Sequence, residues 1–168
     1  MSYVGQYWNQ TGFDLWEETD GSSFFTLQNQ YRTLVEGAQL AKTLRVPCTA
    51  CGQAPELLCF LQSFWNGAHI VSNINVNNGR TGLDANSILG PIAVFDIDAD
   101  CDSLTWQPCR SQSLANFKML TDAFRTLYDI NKNISEGQGA AIGRYPEDVY
   151  MGGNPWSVPR TLLRDMNN

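Results

Sequence analysis

The sequence predicts an all-α fold, and three observations carry this prediction. Apolar residues recur at helical spacing in four stretches, while no stretch alternates apolar and polar residues as a half-buried strand does. Long polar loops that also carry aromatic residues connect these stretches. Because helix bundles favour short connections, these loops favour a ring of paired helices over a four-helix bundle, and loops of this kind often carry function.

The clearest helix is predicted over residues 24–44, where apolar side chains follow the i, i+3, i+4 rhythm of one buried face. Ser22 and Ser23 stand before it as N-cap residues. Pro47 follows and disfavours helical backbone at Val46, so we expect the helix to end there.

Three further helices are predicted, each with its own apolar stripe. The second begins near Pro55, a favourable residue in a first turn, and carries apolar residues as far as position 68. The third covers about residues 84–95, with Asp84 as N-cap and with a kink or break expected at Pro91. The fourth covers residues 113–128.

Charge and hydropathy exclude several classes of function. The net charge is -6 and the pI is about 4.6, whereas nucleic acids and anionic lipid surfaces select proteins with basic patches. No apolar run approaches the roughly 18 residues of a transmembrane helix. The first residues show neither the basic nor the apolar region of a signal peptide. We therefore expect no nucleic-acid partner and no membrane span, while a neutral ligand such as a sugar is compatible with the charge.

Residues 11–21 hold the densest chemistry of the chain, because four carboxylates surround one tryptophan, Trp16: Asp14, Glu17, Glu18 and Asp20. In general, like charges and apolar surroundings raise the pKa of a carboxyl, which is how a general acid keeps its proton. Aromatic faces beside carboxylates also suit sugars. On composition alone, the favoured interpretation of these residues is a solvated acidic segment ahead of the helix at residue 24, where negative charge is favourable.

Residues 7–18, YWNQTGFDLWEE, resemble the active-site signature of fungal glucoamylases, glycoside hydrolase family 15. Further segments resemble the same family in the same order: 20–26, 53–65, 81–90, 107–109, 143–148 and 153–156. The resemblance runs from Tyr3 to Trp156. We therefore interpret residues 1–156 as an internal fragment of a glucoamylase-like catalytic domain, and residues 157–168 as a divergent tail.

The resemblance implies a fold and an activity. The catalytic domain of this family is an (α/α)6 barrel, a helical toroid, so a partial (α/α)6 barrel with long functional loops is expected. The family hydrolyses terminal α-1,4 and, more slowly, α-1,6 glucosidic bonds of starch and maltooligosaccharides, releasing β-D-glucose with inversion. These glucans are the expected partners, no cofactor is expected, and the parent enzyme is expected to be secreted and monomeric. A secreted family also makes Asn9 and Asn133, which lie in N-x-S/T sequons, candidate glycosylation sites.

The matching positions imply roles for individual residues. Glu17 is the expected general acid, and Asp14 matches a candidate proton acceptor. The expected substrate-binding residues are Glu18, Trp16, Arg144, Asp148 and Trp156. For Asp148 a role as a cap or loop residue stays open.

The second carboxylate of the reaction is expected to be missing from this chain. An inverting glycosidase needs an acid and a base about 6.5–9.5 Å apart, with a water between them. Glu17 and Glu18 are adjacent and therefore point apart, and Asp14 lies close to Glu17 along the chain. In the family the base is a glutamate much further toward the C-terminus. The alternative is a truncated, non-catalytic glucan-binding or degenerate protein, which would bind glucans without turnover.

Five cysteines favour an oxidising setting. The spacing of Cys48 and Cys51 is compatible with zinc or redox chemistry, but a structural zinc site needs four ligands and the chain has one histidine, so no metal is expected. The resemblance implies disulfides between Cys48 and Cys51 and between Cys101 and Cys109. It also implies a partner for Cys59 far downstream.

Overall fold

The computed structural model describes residues 1–156, in which short strands and 3₁₀ helices connect five α-helices. The α-helices are α1 Ser2–Tyr7, α2 Phe24–Leu44, α3 Ala54–Leu61, α4 Asn86–Ala93 and α5 Ser111–Leu127. The strands are β1 Gly12–Phe13, β2 Asp20–Ser23 and β3 Asn73–Ile74. The 3₁₀ helices cover Thr49–Gln53, Gln62–Phe64, Asp129–Asn131 and Tyr150–Gly152. The predicted divergent tail, residues 157–168, lies outside the described residues.

Helix α2 has the bounds that the sequence predicts, because local signals agree at both of its ends. The Ser23 hydroxyl accepts a hydrogen bond from the Thr26 N–H at 3.4 Å, which caps the first turn. At the other end Arg45 adopts a left-handed conformation with φ 55°, and its N–H donates to carbonyls of the last turn. Between these ends the helix presents a continuous apolar face, including Phe24 and Leu34, to the core.

Two apolar clusters hold the helices together. The larger cluster joins α2 and α3 to the segment around Trp106 through these buried side chains: Phe24, Leu27, Leu34, Ala54, Leu57, Leu61, Phe64, Ile70 and Trp106. The smaller cluster joins α4 and α5 through Ile88, Leu120, Phe124, Tyr128 and Ile142. Burial of each large apolar side chain contributes roughly 1.5–3 kcal/mol, so these clusters provide the rigid frame from which the loops project.

The prediction of an all-α chain misses a small antiparallel sheet with strand order β1-β2-β3, and it is wrong at this point. Strand β1 pairs with β2 at Gly12 and Gly21, and β2 pairs with β3 at Ser22 and Ile74. The strands are too short for apolar alternation to appear in the sequence. Because β1 and β2 flank residues 14–19, their pairing closes that segment into a turn.

The second helix is shorter than predicted. Helix α3 ends at Leu61 and continues only as the 3₁₀ helix Gln62–Phe64. His69 therefore lies outside the helix, in a segment where Trp65 forms an isolated β-bridge with Ile70. Beyond Leu61, Phe64 is buried in the 3₁₀ helix, Trp65 is half-buried and Ala68 is exposed, and apolar spacing alone does not distinguish such a segment from an α-helix.

The third helix is not broken at Pro91 but continues to Ala93. A proline removes one helical hydrogen bond, and the disruption is limited because this helix ends two residues later. Asp84 stands before the N-cap residue Ala85 and accepts the Asn86 N–H at 2.8 Å, so it does satisfy a donor of the first turn. Helix α5 matches its predicted extent to within two residues, and α1 has no predicted counterpart.

Both disulfides that the resemblance implies are present, between Cys48 and Cys51 and between Cys101 and Cys109. Cys59 is exposed and forms no disulfide within residues 1–156. In the same part of the chain, no three His, Cys, Asp or Glu side chains are grouped as a metal site. Nor does any helix described there have the length and apolar character needed to cross a membrane.

Candidate active site

The segment between β1 and β2 is a turn organised around the buried side chain of Asp14. The Asp14 N–H donates to the Thr19 carbonyl at 2.9 Å, next to the β1–β2 pairing. The Oδ1 atom of Asp14 accepts from the N–H groups of Glu18 at 3.1 Å and Thr19 at 3.3 Å. Its Oδ2 atom lies 3.4 Å from the Asn73 Nδ2 donor on β3. Asp14 therefore holds the turn together from inside.

Glu17 lies in this turn with a left-handed backbone conformation, φ 58°. Its N–H donates to the Asp14 carbonyl at 3.0 Å, so the tight turn itself imposes the conformation. For residues other than glycine this conformation costs about 1–2 kcal/mol. Glu17 is exposed, and no hydrogen bond or ion pair engages its carboxyl among residues 1–156.

The turn contributes side chains to an open cleft of about 550 Å³. The residues that line it are Leu15, Trp16, Glu17, Glu18, Leu89, Arg144, Tyr150 and Trp156. Trp16 and Trp156 meet edge to face, with ring centroids 5.6 Å apart and 61° between the ring planes. Aromatic walls combined with a few charged groups are typical of small-molecule sites, and such walls suit the apolar faces of sugar rings.

Three donors hold the carboxylate of Glu18. Arg144 Nη1 donates to its Oε1 at 2.6 Å, and Arg80 Nη2 donates to its Oε2 at 3.0 Å. The Tyr145 hydroxyl also donates to Oε2. Burial alone would raise the pKa of Glu18, but these hydrogen bonds outweigh burial and lower the pKa below its usual value. Glu18 is therefore an anion that can accept hydrogen bonds from a ligand.

Arg144 connects Glu18 to a second carboxylate, that of Asp148. Arg144 Nε and Nη2 donate to the two oxygens of Asp148 at 2.8 and 2.6 Å. Burial acts to raise the pKa of Asp148, yet the bonds from Arg144 and from the Tyr150 N–H hold that pKa below its usual value. The hydrogen bonds to Asp148 in turn raise the pKa of Arg144. This bidentate pair fixes the guanidinium so that Nη1 reaches Glu18 at the cleft.

Asp84 is a buried carboxylate in a very different environment. The Trp16 Nε1–H donates to it, with Nε1 3.0 Å from Oδ1 and 3.1 Å from Oδ2, and the Asn86 N–H donates to Oδ1 at 2.8 Å. Asp84 is 2% exposed and forms no ion pair within residues 1–156. Burial therefore raises the pKa of Asp84 to about 7, and the nearby charge of Asp14 acts in the same direction.

The structure brings most of the predicted site residues together in one cleft, which is lined by Trp16, Glu17, Glu18, Arg144 and Trp156. Asp148 lies behind Arg144, and Asp14 lies inside the turn rather than among the lining residues. The role of Asp14 as proton acceptor stays a prediction. Asn9 and Asn133 are both exposed, and their glycosylation also stays a prediction.

Sequence reasoning does not identify Arg80, Tyr145 or Asp84 as residues that bond to side chains lining the cleft. The contact between Arg80 and Glu18 spans 62 positions, and that between Asp84 and Trp16 spans 68. Periodicity and local motifs carry no information about pairs so far apart. Tyr145 directly follows a predicted site residue in the chain, which is the one signal that could have found it.

Comparisons with known sequences agree with this geometry. The family model of Glycosyl hydrolases family 15 matches residues 1–165. Glucoamylase P of Amorphotheca resinae is 78% identical over 165 residues, which are 98% of this chain and 27% of the relative. Glucoamylase-1 of Arthroderma benhamiae is 52% identical over 157 residues, which are 93% of this chain and 25% of the relative.

Solved structures agree as well. The glucoamylase of Hormoconis resinae superimposes with a TM-score of 0.96 at 74% identity, over 98% of this chain and 28% of that one. The family 15 glucoamylase of Hypocrea jecorina gives a TM-score of 0.90 at 56% identity, over 94% of this chain and 27% of that one. The chain thus has the arrangement of helices and sheet found in these enzymes, and it spans about a quarter of their length.

Proposed function

Since the chain belongs to glycosyl hydrolases family 15, we propose that it is part of a glucoamylase that cleaves terminal α-1,4 and α-1,6 glucosidic bonds. The substrates are starch and maltooligosaccharides, and β-D-glucose leaves with inverted configuration. Glu17 is the general acid that protonates the glycosidic oxygen. The observation that carries the proposal is the contrast between adjacent glutamates at one cleft, since Glu17 is exposed and unengaged within residues 1–156 while Glu18 is held as an anion.

A general acid has to carry a proton and to reach the oxygen of the leaving group. Glu18 does not meet the first condition, because Arg144 and Arg80 stabilise its charged form. Glu17 lines the same cleft and its carboxyl is not committed to a cation among the described residues. The proton is therefore assigned to Glu17, and Glu18 is assigned to the binding of sugar hydroxyls on the leaving-group side.

The other cleft residues bind and orient the sugar. Arg144 offers a fixed cationic group, and its Nη1 is directed to Glu18 by the bidentate bonds to Asp148. Trp16 and Trp156 provide apolar faces against which a glucose ring packs. Asp148 acts through Arg144, since its side chain is 1% exposed.

The general base of an inverting hydrolase lies about 6.5–9.5 Å from the acid. Among residues 1–156 the only other carboxylate that lines the cleft is Glu18, which is tied to two arginines. We therefore propose that the base comes from outside the described residues. Family membership also supports the proposal that the five helices form part of an (α/α)6 ring. That ring would be completed in a secreted, monomeric parent enzyme.

The test transfers the chain into a complete enzyme. The 165 aligned residues of Amorphotheca resinae glucoamylase P are replaced by those of this chain, and glucose release from maltoheptaose is measured. Because general acid catalysis contributes about 10²–10⁴-fold, we expect Glu17→Gln to lower kcat of the chimera by that factor. The matched control is Glu56→Gln, an exposed glutamate on α3, which leaves kcat unchanged. A Glu17→Gln chimera as active as the control would refute the assignment of the acid.

The purified chain by itself tests a second candidate, a non-catalytic glucan-binding protein. The observation that favours it is that Glu17 is the only cleft carboxylate not tied to a cation among residues 1–156. We expect the folded chain to bind maltoheptaose and to release no glucose. Glucose release that Glu17→Gln abolishes would instead mean that a carboxylate of this chain serves as base, and Asp14→Asn would then test the candidate that the resemblance indicates.

A further inference from the structure

The Trp16 side chain lines the cleft, and its indole N–H donates a hydrogen bond to the buried carboxylate of Asp84. An indole nitrogen is a donor only, and a buried donor without an acceptor loses about 1–3 kcal/mol. Both oxygens of Asp84 lie within 3.1 Å of Trp16 Nε1. Within residues 1–156 Asp84 is the acceptor of this N–H, and it takes no part in the proton transfer proposed above.

We infer that Asp84 is a positioning residue, whose carboxylate sets the orientation of the Trp16 ring and thereby the shape of the aromatic wall of the cleft. The inference rests on the proposed function for the identity of the ligand as a glucan. The contact itself, and the effect of Asp84 on the ring, do not depend on which ligand the cleft takes.

Asp84 can orient the ring because its own position is fixed on three sides. Its Oδ1 accepts the Asn86 N–H at 2.8 Å, and its carbonyl accepts the Ser87 hydroxyl at 2.6 Å, so both ends of the residue are bonded to the first turn of α4. The next residue, Ala85, donates its N–H to the Arg144 carbonyl at 2.7 Å. A substitution that frees Trp16 from Asp84 therefore acts on a segment that also contacts the backbone of Arg144.

The position of the Trp16 ring affects its contacts with two other groups that line the cleft. Its centroid lies 5.6 Å from that of Trp156, and the guanidinium of Arg144 lies 5.6 Å from the Trp16 ring. A rotation of the indole about its side-chain bonds changes both distances. The inference therefore predicts that loss of the Asp84 acceptor reaches sugar binding through the ring, without removal of any group that touches the sugar.

The first experiment follows the indole N–H signals of the isotope-labelled chain by NMR. The chain has five tryptophans, and Trp16→Phe assigns the signal of Trp16 by its disappearance. In Asp84→Leu we expect the Trp16 N–H to exchange with water about tenfold faster, because a net hydrogen bond of about 1.4 kcal/mol is lost. In Asp84→Asn the amide oxygen still accepts, so the signal stays protected.

The matched control is Gln107→Met, which removes a side chain that is also 2% exposed and bonds to the Asp96 N–H at 2.9 Å, in another part of the chain. It leaves the Trp16 signal unchanged. Asp84→Ser, whose side chain is too short to reach the indole, replaces Asp84→Leu if the latter does not fold. A Trp16 N–H equally protected in Asp84→Leu or Asp84→Ser and in the parent chain would overturn the inference.

The second experiment measures the chimeric enzyme with maltoheptaose. We expect Asp84→Leu to raise KM about tenfold with a smaller change in kcat, since the aromatic wall binds the sugar both before and during the reaction. Asp84→Asn is expected to leave KM close to that of the unsubstituted chimera. In a Trp16→Phe background Asp84→Leu has no further effect on KM, because the two substitutions remove the same contact. Additive effects on KM would overturn the inference. If the chimera is inactive the proposed function fails, and the NMR exchange experiment still decides the role of Asp84.

Discussion

Two buried carboxylates support side chains that line the cleft: Asp148 supports Arg144 and Glu18, which we call the charged side, and Asp84 supports Trp16, which we call the Asp84 side. The carboxylate of Asp148 is bound by Arg144 at 2.8 and 2.6 Å, whereas within residues 1–156 that of Asp84 is bound only by the N–H groups of Trp16 and Asn86. Both carboxylates are almost completely removed from water. The pKa of Asp148 is nevertheless lowered, while the pKa of Asp84 is raised to about 7. The comparison shows that burial does not by itself decide the charge of an acid, and that the charge of its partner does.

The two sides therefore provide different surfaces to a ligand. The charged side keeps a cation beside the Glu18 carboxylate, whose pKa its hydrogen bonds hold below the usual value. The Asp84 side presents an aromatic ring whose buried acceptor gains or loses a proton near neutral pH. Under the proposed function, the charged side hydrogen-bonds to sugar hydroxyls and the Asp84 side packs its aromatic ring against the sugar.

The largest effect is expected for Arg144→Leu, which removes the ion pairs of Arg144 with Asp148 and Glu18. This substitution leaves Asp148 buried without its cation, and the loss of one partner of a buried ion pair costs about 3–5 kcal/mol. It also removes one of the two arginines that hold Glu18. We expect the free energy of unfolding by urea to fall by that amount and maltoheptaose binding to be lost.

The double variant Arg144→Leu/Asp148→Leu is the control for this prediction. If the cost comes from the unpaired charge of Asp148, removal of both groups restores part of the stability that the single substitution removes. Maltoheptaose binding is not restored, because Arg144 is still absent. A double variant that is less stable than Arg144→Leu would contradict the account given for the charged side.

The Asp84 side predicts a dependence of stability on pH. Asp84 has a pKa of about 7 in the folded chain and a pKa near 4 when unfolded, so the folded chain binds this proton more tightly. The stability that this proton contributes is fully present below about pH 4 and is lost as the pH rises to about 7. A shift of this size corresponds to about 4 kcal/mol, and above pH 7 the contribution does not change further.

The comparison of the parent chain with Asp84→Asn isolates this contribution. The asparagine has no proton to lose, so the difference in the free energy of unfolding between the two chains should change between pH 4 and pH 7. Urea unfolding at a series of pH values measures this difference. Two pH profiles that run parallel over this range would show that Asp84 titrates in the folded chain as it does in the unfolded chain.

The smallest effect is expected for Tyr145→Phe, which tests how much the tyrosine hydroxyl contributes to the charge of Glu18. This substitution removes the hydroxyl that donates to Glu18 and that accepts from Arg80 Nη2 at 3.0 Å, while both arginines stay in place. We expect a loss of about 1–2 kcal/mol in stability and a rise in the pKa of Glu18, observed by NMR titration of its carboxyl carbon. An unchanged pKa of Glu18 would mean that the arginines alone determine its charge.

Local signals explain why some elements could be predicted from the sequence. Helix α2 has its predicted bounds because Ser23, the apolar stripe and the residues before Pro47 all act within a few positions of each other. The extent of α3 was overestimated because Phe64 and Trp65, which follow Leu61, pack against the core from a 3₁₀ helix and the loop after it rather than from an α-helix. The same limit applies to the sheet, in which β2 and β3 meet across a long stretch of chain.

The residues of the site likewise fall into those that the sequence could predict and those that it could not. The resemblance located Glu17, Glu18 and Arg144, because these residues lie in recognisable segments. It did not locate the contacts of Arg80 with Glu18 or of Asp84 with Trp16, since each joins residues more than sixty positions apart. Nothing in either local sequence encodes such a contact, which arises only when the two clusters of helices bring the loops together.

The left-handed backbone of Glu17 affects which substitutions are favoured at this position in evolution. Glycine is the residue that such a conformation suits, so a substitution selected for thermodynamic stability alone would remove the carboxyl. Folding and the proton donation proposed for Glu17 therefore make opposite demands on one residue, as is common where a strained backbone carries function. Under the proposed function, a descendant no longer selected for catalysis is expected to change at Glu17 first, while the buried Asp14 that closes the turn is retained.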